Sequence, residues 1–329
     1  MIRTTLKLAT ACCAAAFVSS PLNAAQGDAA ATYPTRPVRF IVPFAPGAGT
    51  DTTARTLGLK LSEAFGHQFL VDNRTGAGGA IGGDTVAKAL PDGYTIGLIS
   101  ASNTVGAATN PGLPYDMQKD LQGVSQATSL FYVMYTHPSM PFKTVKEFIA
   151  YAKANPGKLN YGSSGNYTLQ HFSGELFNHL AGVKNVHIPY KGTAAVIPAM
   201  LSGEVQFGFG SLIGTRAQMQ AGKLRGLAIT AAKRSPSVDL PTVIEAGVPG
   251  FEVDQWYGVI ISTKVPQPIV KKLNAAIVEA LKAPDVAQRL AGDGSTPVGS
   301  SSADFNKHIA AEITKWKKLV KEANLPLQK

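Results

Sequence analysis

A chain of 329 residues with 31 Lys and Arg against 21 Asp and Glu carries a formal charge of +10, and that length can bury one large core or two medium ones. The basic residues are scattered, and no aromatic-rich strand supplies stacking platforms, which argues against nucleic acid. An anionic ligand, a membrane surface, or solubility alone remain as reasons for the charge.

Residues 1–25, "MIRTTLKLATACCAAAFVSSPLNAA", place Arg3 and Lys7 ahead of an apolar run from Leu8 to Val18, then small residues around Ala24. This is the pattern of a signal peptide, too short for a membrane span, and it predicts an exported, periplasmic protein. Cys12 and Cys13 both fall inside it, so the mature chain is expected to lack disulfides, thiolate chemistry and cysteine metal sites. Residues 26–33 read as a flexible leader.

Strand and helix patterns then alternate. "RFIVPF" is a strand, and Asp51 is placed to cap the following helix, on which Ala54, Leu57, Leu61, Ala64 and Phe65 recur at helical spacing before Gly66. "QFLVDN", a glycine-rich turn, a helix carrying Val86 and Leu90, and the strand "YTIGLIS" follow. This order predicts a parallel sheet with its ligand site off the carboxyl ends of the strands, at "PFAPGAGTD" and "SASNT". A second unit starts with the strand "LFYVMYT" and a capping box from Thr144 to Glu147, and continues through "KLNYGSSGN", "VHIPYKGTA", "VQFGFGSL" and "LRGLAIT". The strand "WYGVIIS" and two terminal helices complete the chain, the last with an apolar face of Ile309, Ile313, Trp316, Leu319 and Val320. The expected fold class is α/β: two lobes, 34–126 with 251–329 and 127–250, each a mixed, mostly parallel sheet flanked by helices, with a ligand cleft between them.

Signatures of catalysis are missing. "YGSSGN" sets its glycines at 162 and 165, too close for a nucleophile elbow, and the six histidines show no i,i+4 pair for a metal. "GAGGAIGG" from Gly76 misses dinucleotide spacing by one residue, because Ile81 stands where a glycine is required. It reads instead as a tight turn packed close to the sheet. No cofactor and no metal are expected.

Loops rich in backbone donors remain. In Phe44, Ala45, Pro46, Gly47, Ala48, Gly49, Thr50 and Asp51, the two glycines permit positive φ and close approach of an anion to the amides. "SSGNYT" from Ser163 offers hydroxyls and an amide at another strand-to-helix junction, and "YKGTA" adds Lys191 and a Thr193 cap. Asp51 is a candidate catalytic acid, an acceptor for a ligand amine, or simply an N-cap. Phe44 either covers a ligand or packs in the core. His171 reads as structural, and Trp256-Tyr257 as packing where the chain crosses back between lobes.

The stretches "YPTRPVRFIVPFAPGAGTDTTAR", "VDNRTGAGGAIGG", "ALPDGYT", "NYGSSGNYTLQHFSGELF", "HIPYKGTAAVIPAMLSGEVQFGF", "LPTVIEAGVPGFE" and "WYGV" resemble, in order, the Bug family of periplasmic receptors of tripartite tricarboxylate transporters. The resemblance implies a type II periplasmic binding-protein fold that closes like a Venus flytrap on a small organic acid, held largely by backbone amides. It implies a site at Phe44 to Asp51 on one lobe and, on the other, at Ser163, Ser164, Gly165 and Asn166 with Lys191, Gly192 and Thr193. Asn103, Tyr167, Gln170, Tyr190 and Ser211 complete the candidate site.

Three departures from the family pattern bear on the ligand. Ala48 separates the two glycines of the first loop. Gly210-Ser211 stands where many members have an Asp or Asn, which disfavours amino-acid ligands. Tyr167 replaces a common small residue and stands either as an aromatic wall or toward solvent.

The expected function is capture of a small carboxylate, aliphatic di- or tricarboxylate ahead of aromatic, for delivery by a monomer to membrane transporter subunits. A sensor presenting the same ligand to a membrane kinase is the alternative. An enzyme acting on a carboxylate is the third reading, against which the missing catalytic groups weigh.

Overall fold

Residues 31–292 and 294–322 are described by the computed structural model; the predicted signal peptide and the start of the leader lie outside them. The leader's last residue departs from expectation. Tyr33 is buried, donates its hydroxyl to the Gly93 carbonyl at 2.7 Å and packs edge-on against Tyr94. Lys272 Nζ meanwhile holds the Ala31 and Tyr33 carbonyls.

Three βα units open the fold: β1 (Val38–Val42), α1 (Gly49–Phe65), β2 (Phe69–Asn73), α2 (Ala80–Ala87), β3 (Thr95–Ser100) and α3 (Ala101–Thr109). β1 pairs in parallel with β2 on one side and β3 on the other. On α1 the residues Ala54, Leu57 and Leu61 face the core as their spacing predicts, whereas Ala64 is exposed. Gly66 ends the helix at φ 70°, in the left-handed region that suits glycine. The glycine-rich turn after β2 packs against the neighbouring loop: a Cβ on Gly82 would lie 2.6 Å from Pro43 Cβ.

β4 (Leu121–Thr136) starts nine residues before the predicted strand and belongs to both sheets. From Leu121 to Phe131 it pairs with β9 (Asp254–Ser262), which also borders β3. From Tyr132 to Thr136 it pairs with β7 (Phe207–Ser211), and over much of the same stretch with β8 (Arg225–Ile229). The second sheet adds the parallel strands β5 (Asn160–Ser163) and β6 (Val186–Pro189), β5 lying between β6 and β7. Every antiparallel ladder involves β4 or β9; the other ladders are parallel, as successive βα units require. The backbone therefore passes between lobes along β4 and returns between β8 and β9.

The second lobe carries α4 (Val145–Ala154), α5 (Leu169–Ala181), α6 (Thr193–Leu201) and α7 (Leu212–Gln220). At α4 the Thr144 hydroxyl caps Glu147 N–H, but the Glu147 carboxylate reaches Lys143 N–H, one residue before the position a capping box requires. Among the described residues three terminal helices follow rather than two: α8 (Gln267–Lys282), α9 (Pro284–Gly292) and α10 (Ser302–Glu322), with a two-residue strand β10 (Thr296–Pro297) on β4. Pro284 separates α8 from α9, because its missing N–H and fixed φ interrupt a continuous helix. Ile309, Ile313, Trp316 and Val320 of α10 are buried; Trp316 meets Phe172 of α5 edge-on at 6.1 Å, so the last helix packs against both lobes.

Candidate functional site

Five helix N-termini approach the junction of the lobes, and their capping divides them. Two are satisfied by protein side chains. At α3, Ser100 and Asn103 form a reciprocal capping box, and Gln255 Oε1 accepts from Ala101 N–H at 3.2 Å. At α5, Thr168 caps His171 N–H, and Ser102 Oγ of the other lobe accepts from Leu169 N–H at 3.0 Å. The other three, α1, α6 and α7, have no side-chain cap. Their first N–H groups are left without intrahelical partners, which is the elementary form of an anion site.

The loop before α1 owes its shape to Asp51. That buried carboxylate accepts from Gly47 N–H at 2.9 Å, from Arg55 Nε and Nη2 at 2.9 and 3.0 Å, and from Asn73 Nδ2 at 2.9 Å. Burial pushes its pKa up, but the hydrogen bonds of Arg55, Gly47 and Asn73 outweigh that and leave it below the usual carboxylate range. Asp51 is thus not the N-cap, and its carboxylate is engaged by Gly47, Arg55 and Asn73. It lies in the first helical turn and fastens the loop from behind. The two glycines answer different needs. Gly47 holds φ 79°, whereas Gly49 lies where a Cβ would strike the Tyr257 hydroxyl.

On the second lobe, Gln170 Oε1 accepts from Ser164 N–H at 2.7 Å and orders the turn after β5. Gly192 starts α6 at φ 95°, and a Cβ there would sit 3.6 Å from the Ala45 methyl. The two loops therefore face each other across the cleft.

Between them lies a cavity of about 300 Å³, lined by residues of both lobes. Among the described residues, no Asp, Glu, Lys, Arg or His contributes to its lining. Hydroxyls and amides do: Thr50, Ser100, Ser102, Tyr132, Ser164, Thr193, Ser211 and Tyr257, with Gln170 and Gln255. A larger, more open depression of about 590 Å³ lies on the second lobe. Its arginines are occupied by backbone carbonyls: Arg225 by those of Pro138, Met140 and Phe142, and Arg216 by that of Ser237. The uncharged interlobe cavity is the better candidate.

Of the sequence-predicted residues, Phe44 through Thr50, Ser164, Gln170, Gly192, Thr193 and Ser211 line this cavity. Eight do not. Asp51 and Asn103 are absorbed by the loop clasp and the α3 cap. The Ser163 hydroxyl is turned to His187 Nε2 at 2.6 Å and bridges the backbone of Gly165. Asn166 and Tyr167 pack against the glycine turn, where a Cβ on Gly78 would lie 2.7 Å from Asn166 O; Tyr167 is held at φ 62° and forms no wall of the cavity. Tyr190 reaches away to Glu204 at 2.8 Å, and burial together with that carboxylate pushes its phenol up to about 12. Lys191 is exposed to solvent.

Sequence reasoning missed Ser100, Ser102, Tyr132, Ala194, Ile197, Ile213, Gly214, Gln255 and Tyr257. The first two lie in "SASN", the β3 end that the strand-end rule had marked. Tyr132 lies where β4 passes into the second sheet and Gln255 at the start of β9, positions which that rule does not cover.

The sheet order, the shared strand β4 and a cleft between lobes define a periplasmic binding-protein fold of the two-lobed, type II class, a class of solute receptors rather than enzymes. Residues 53–325 match the model of the tripartite tricarboxylate transporter family receptor, and the chain belongs to that family. It is 35% identical over 320 residues to Protein BugT of Bordetella pertussis, covering 96% of each chain. Among solved structures it is similar to R. palustris Rpa4515 with adipate, at 35% identity and TM-score 0.85 over 89% of this chain and 98% of that one. It is similar too to MatC (Rpa3494) from Rhodopseudomonas palustris with bound malate, at 32% identity and TM-score 0.83 over 88% of this chain and all of the other.

Proposed function

We propose that this chain is a periplasmic receptor that captures a small aliphatic carboxylate and delivers it, as a hinged monomer, to the membrane subunits of a tripartite tricarboxylate transporter. The observation that carries this reading is the meeting of three uncapped helix N-termini around a cavity to which the described residues contribute no charged side chain. Each terminus presents about half an elementary positive charge, which suits one or two carboxylates in a space where water is displaced. Hydrogen bonds to a charged group contribute roughly 1.5–3 kcal/mol each, so three or four support micromolar binding after ordering costs.

The volume lies at the lower end of the range for ligand sites, which favours a compact acid. With no carboxylate in the lining to receive an ammonium group, amino acids are disfavoured. The relatives bound to adipate and malate fit the same class. The test is a thermal-shift titration of residues 26–329, stripped of ligand, against aliphatic di- and tricarboxylates, aromatic carboxylates and acidic amino acids. At about 100 times its Kd, a native-state ligand adds roughly 2.7 kcal/mol. A selective shift with an aliphatic acid supports the reading; no shift with any acid refutes it.

A further inference from the structure

Tyr132 and Gln255 meet at the floor of the cavity, the first where β4 passes into the second sheet and the other at the start of β9, and the sense of the hydrogen bond between them is fixed. Gln255 takes two backbone donors on one atom, Ala101 N–H at 3.2 Å and Trp256 N–H at 2.9 Å. That atom must be the amide oxygen, because an NH2 group there would set donors against donors. The amide nitrogen then faces the Tyr132 hydroxyl at 2.6 Å and can only donate to it. The phenol oxygen is thereby an acceptor, and its own proton must go elsewhere. No hydrogen bond from the Tyr132 hydroxyl to another group occurs among the described residues, and the neighbouring Tyr135 hydroxyl has no partner among them. Tyr132 is only 5% exposed, and what it faces is the cavity.

We infer that Tyr132, polarised by Gln255, is a specificity-determining donor that reads an acceptor oxygen on the bound acid beside the N-terminus of α7. Tyr132 pairs directly with Ser211, the residue that precedes this helix, and opposed residues of an antiparallel ladder project to the same face. Tyr132, Ser211 and the uncapped start of α7 all line the cavity there, while the starts of α1 and α6 supply the rest of the site. Such a corner accepts a carboxylate, hydroxyl or oxo oxygen and repels an ammonium group, which brings only protons. Burial raises the phenol pKa above its ordinary value, so the proton is present at neutral pH.

This inference rests on the carboxylate reading and deepens it. The test measures Kd by calorimetry for malate and adipate with the unsubstituted chain, Tyr132→Phe, Gln255→Glu and the double variant, each first matched by circular dichroism. Tyr132→Phe is expected to weaken the tighter acid 10- to 100-fold, the value of one hydrogen bond to a charged group. Gln255→Glu takes the phenol proton for its own carboxylate and adds a repelling charge. It should therefore weaken binding more in the unsubstituted chain than in the Tyr132→Phe variant, by about the Tyr132→Phe factor. Equal Kd values for the unsubstituted chain and Tyr132→Phe overturn the inference, as does an identical Gln255→Glu penalty in both backgrounds. No binding of either acid by the unsubstituted chain overturns the carboxylate reading, and this inference with it.

Discussion

The imidazoles of His171 and His187 lie stacked, ring centroids 3.8 Å apart and planes 11° from parallel, with His187 Nε2 hydrogen-bonded to the Ser163 hydroxyl. Tyr161 and Phe172 flank the pair, at 5.0 Å from His187 and 4.9 Å from His171. Tyr167 N–H donates to His171 Nδ1 at 3.4 Å, and Glu175 Oε1 stands 3.9 Å from His171 Nε2. Stacked rings at this distance cannot both carry a charge cheaply. The pair is a neutral brace beneath the Ser163–Asn166 turn.

A pH dependence follows. Burial, and the neighbouring His187, push His171 down to about 3, and burial pushes His187 down to about 4. Unfolded, both titrate near their ordinary value of about 6.5, so between there and the folded values the unfolded chain binds more protons. Stability from this brace is complete above about pH 6.5 and declines as pH falls, by at most about 1.4 kcal/mol per pH unit for each ring. Glu175, whose carboxyl burial raises, works in the opposite direction. Urea unfolding at pH 7.5, 6.0 and 5.0 should show the decline, and His187→Gln should make it shallower; equal slopes for the two chains would remove the brace.

The two loop glycines predict different failures. Gly47→Ala meets no atom within 4 Å but must hold φ 79°, at a cost of about 1–2 kcal/mol. Gly49→Ala drives a methyl into the Tyr257 hydroxyl, and overpacking of this kind costs about 1–3 kcal/mol. Tyr257→Phe, by removing that hydroxyl, should recover part of the loss in the Gly49→Ala variant and none in the Gly47→Ala variant. Denaturant midpoints of the single and double variants decide it; rescue of both or of neither would contradict the assignment.

Asp51→Ala should lower stability by about 2–3 kcal/mol, since it removes a buried acceptor from Gly47, Asn73 and Arg55 together. Arg55 is half exposed and recovers solvation, which keeps the cost below that of a fully buried pair. Acid binding should weaken as well, although Asp51 does not line the cavity, because the uncapped start of α1 is positioned through Gly47. A variant as stable and as tight-binding as the parent would show the clasp to be idle.

The sequence made the βα rhythm and the first loop legible because both are local: a strand, a turn with glycine, and a helix whose apolar face repeats within a few residues. It misplaced Asp51 because N-cap and first-turn positions differ by only a few residues in a string but by the whole direction of a carboxylate in space. Tyr167 and Tyr190 looked like site residues because they stand within three positions of Ser164, Gln170 and Gly192, which do line the cavity. Their side chains were decided by long-range partners, the glycine turn at Gly78 and the carboxylate of Glu204. Tyr132 and Gln255 lie 123 positions apart, and only the antiparallel pairing of β4 with β9 brings them together.

The passage of the chain between the lobes is held by Thr230. Its hydroxyl accepts from Tyr132 N–H at 2.9 Å and donates to Val253 O at 2.7 Å, while its own N–H donates to Tyr132 O at 2.9 Å. One fully buried side chain thus joins the outgoing strand to the return segment beside the cavity floor. Thr230→Val keeps the shape and removes the hydroxyl, leaving a buried donor and a buried acceptor unpaired, each at about 1–3 kcal/mol. We expect a loss of about 2–4 kcal/mol in urea unfolding, with Thr230→Ser recovering most of it. Acid affinity should fall with the valine variant even at temperatures where it remains folded, because Tyr132 is positioned through its own N–H. A valine variant that loses stability but binds as tightly as the parent would place the hinge clasp outside the binding event and restrict it to folding.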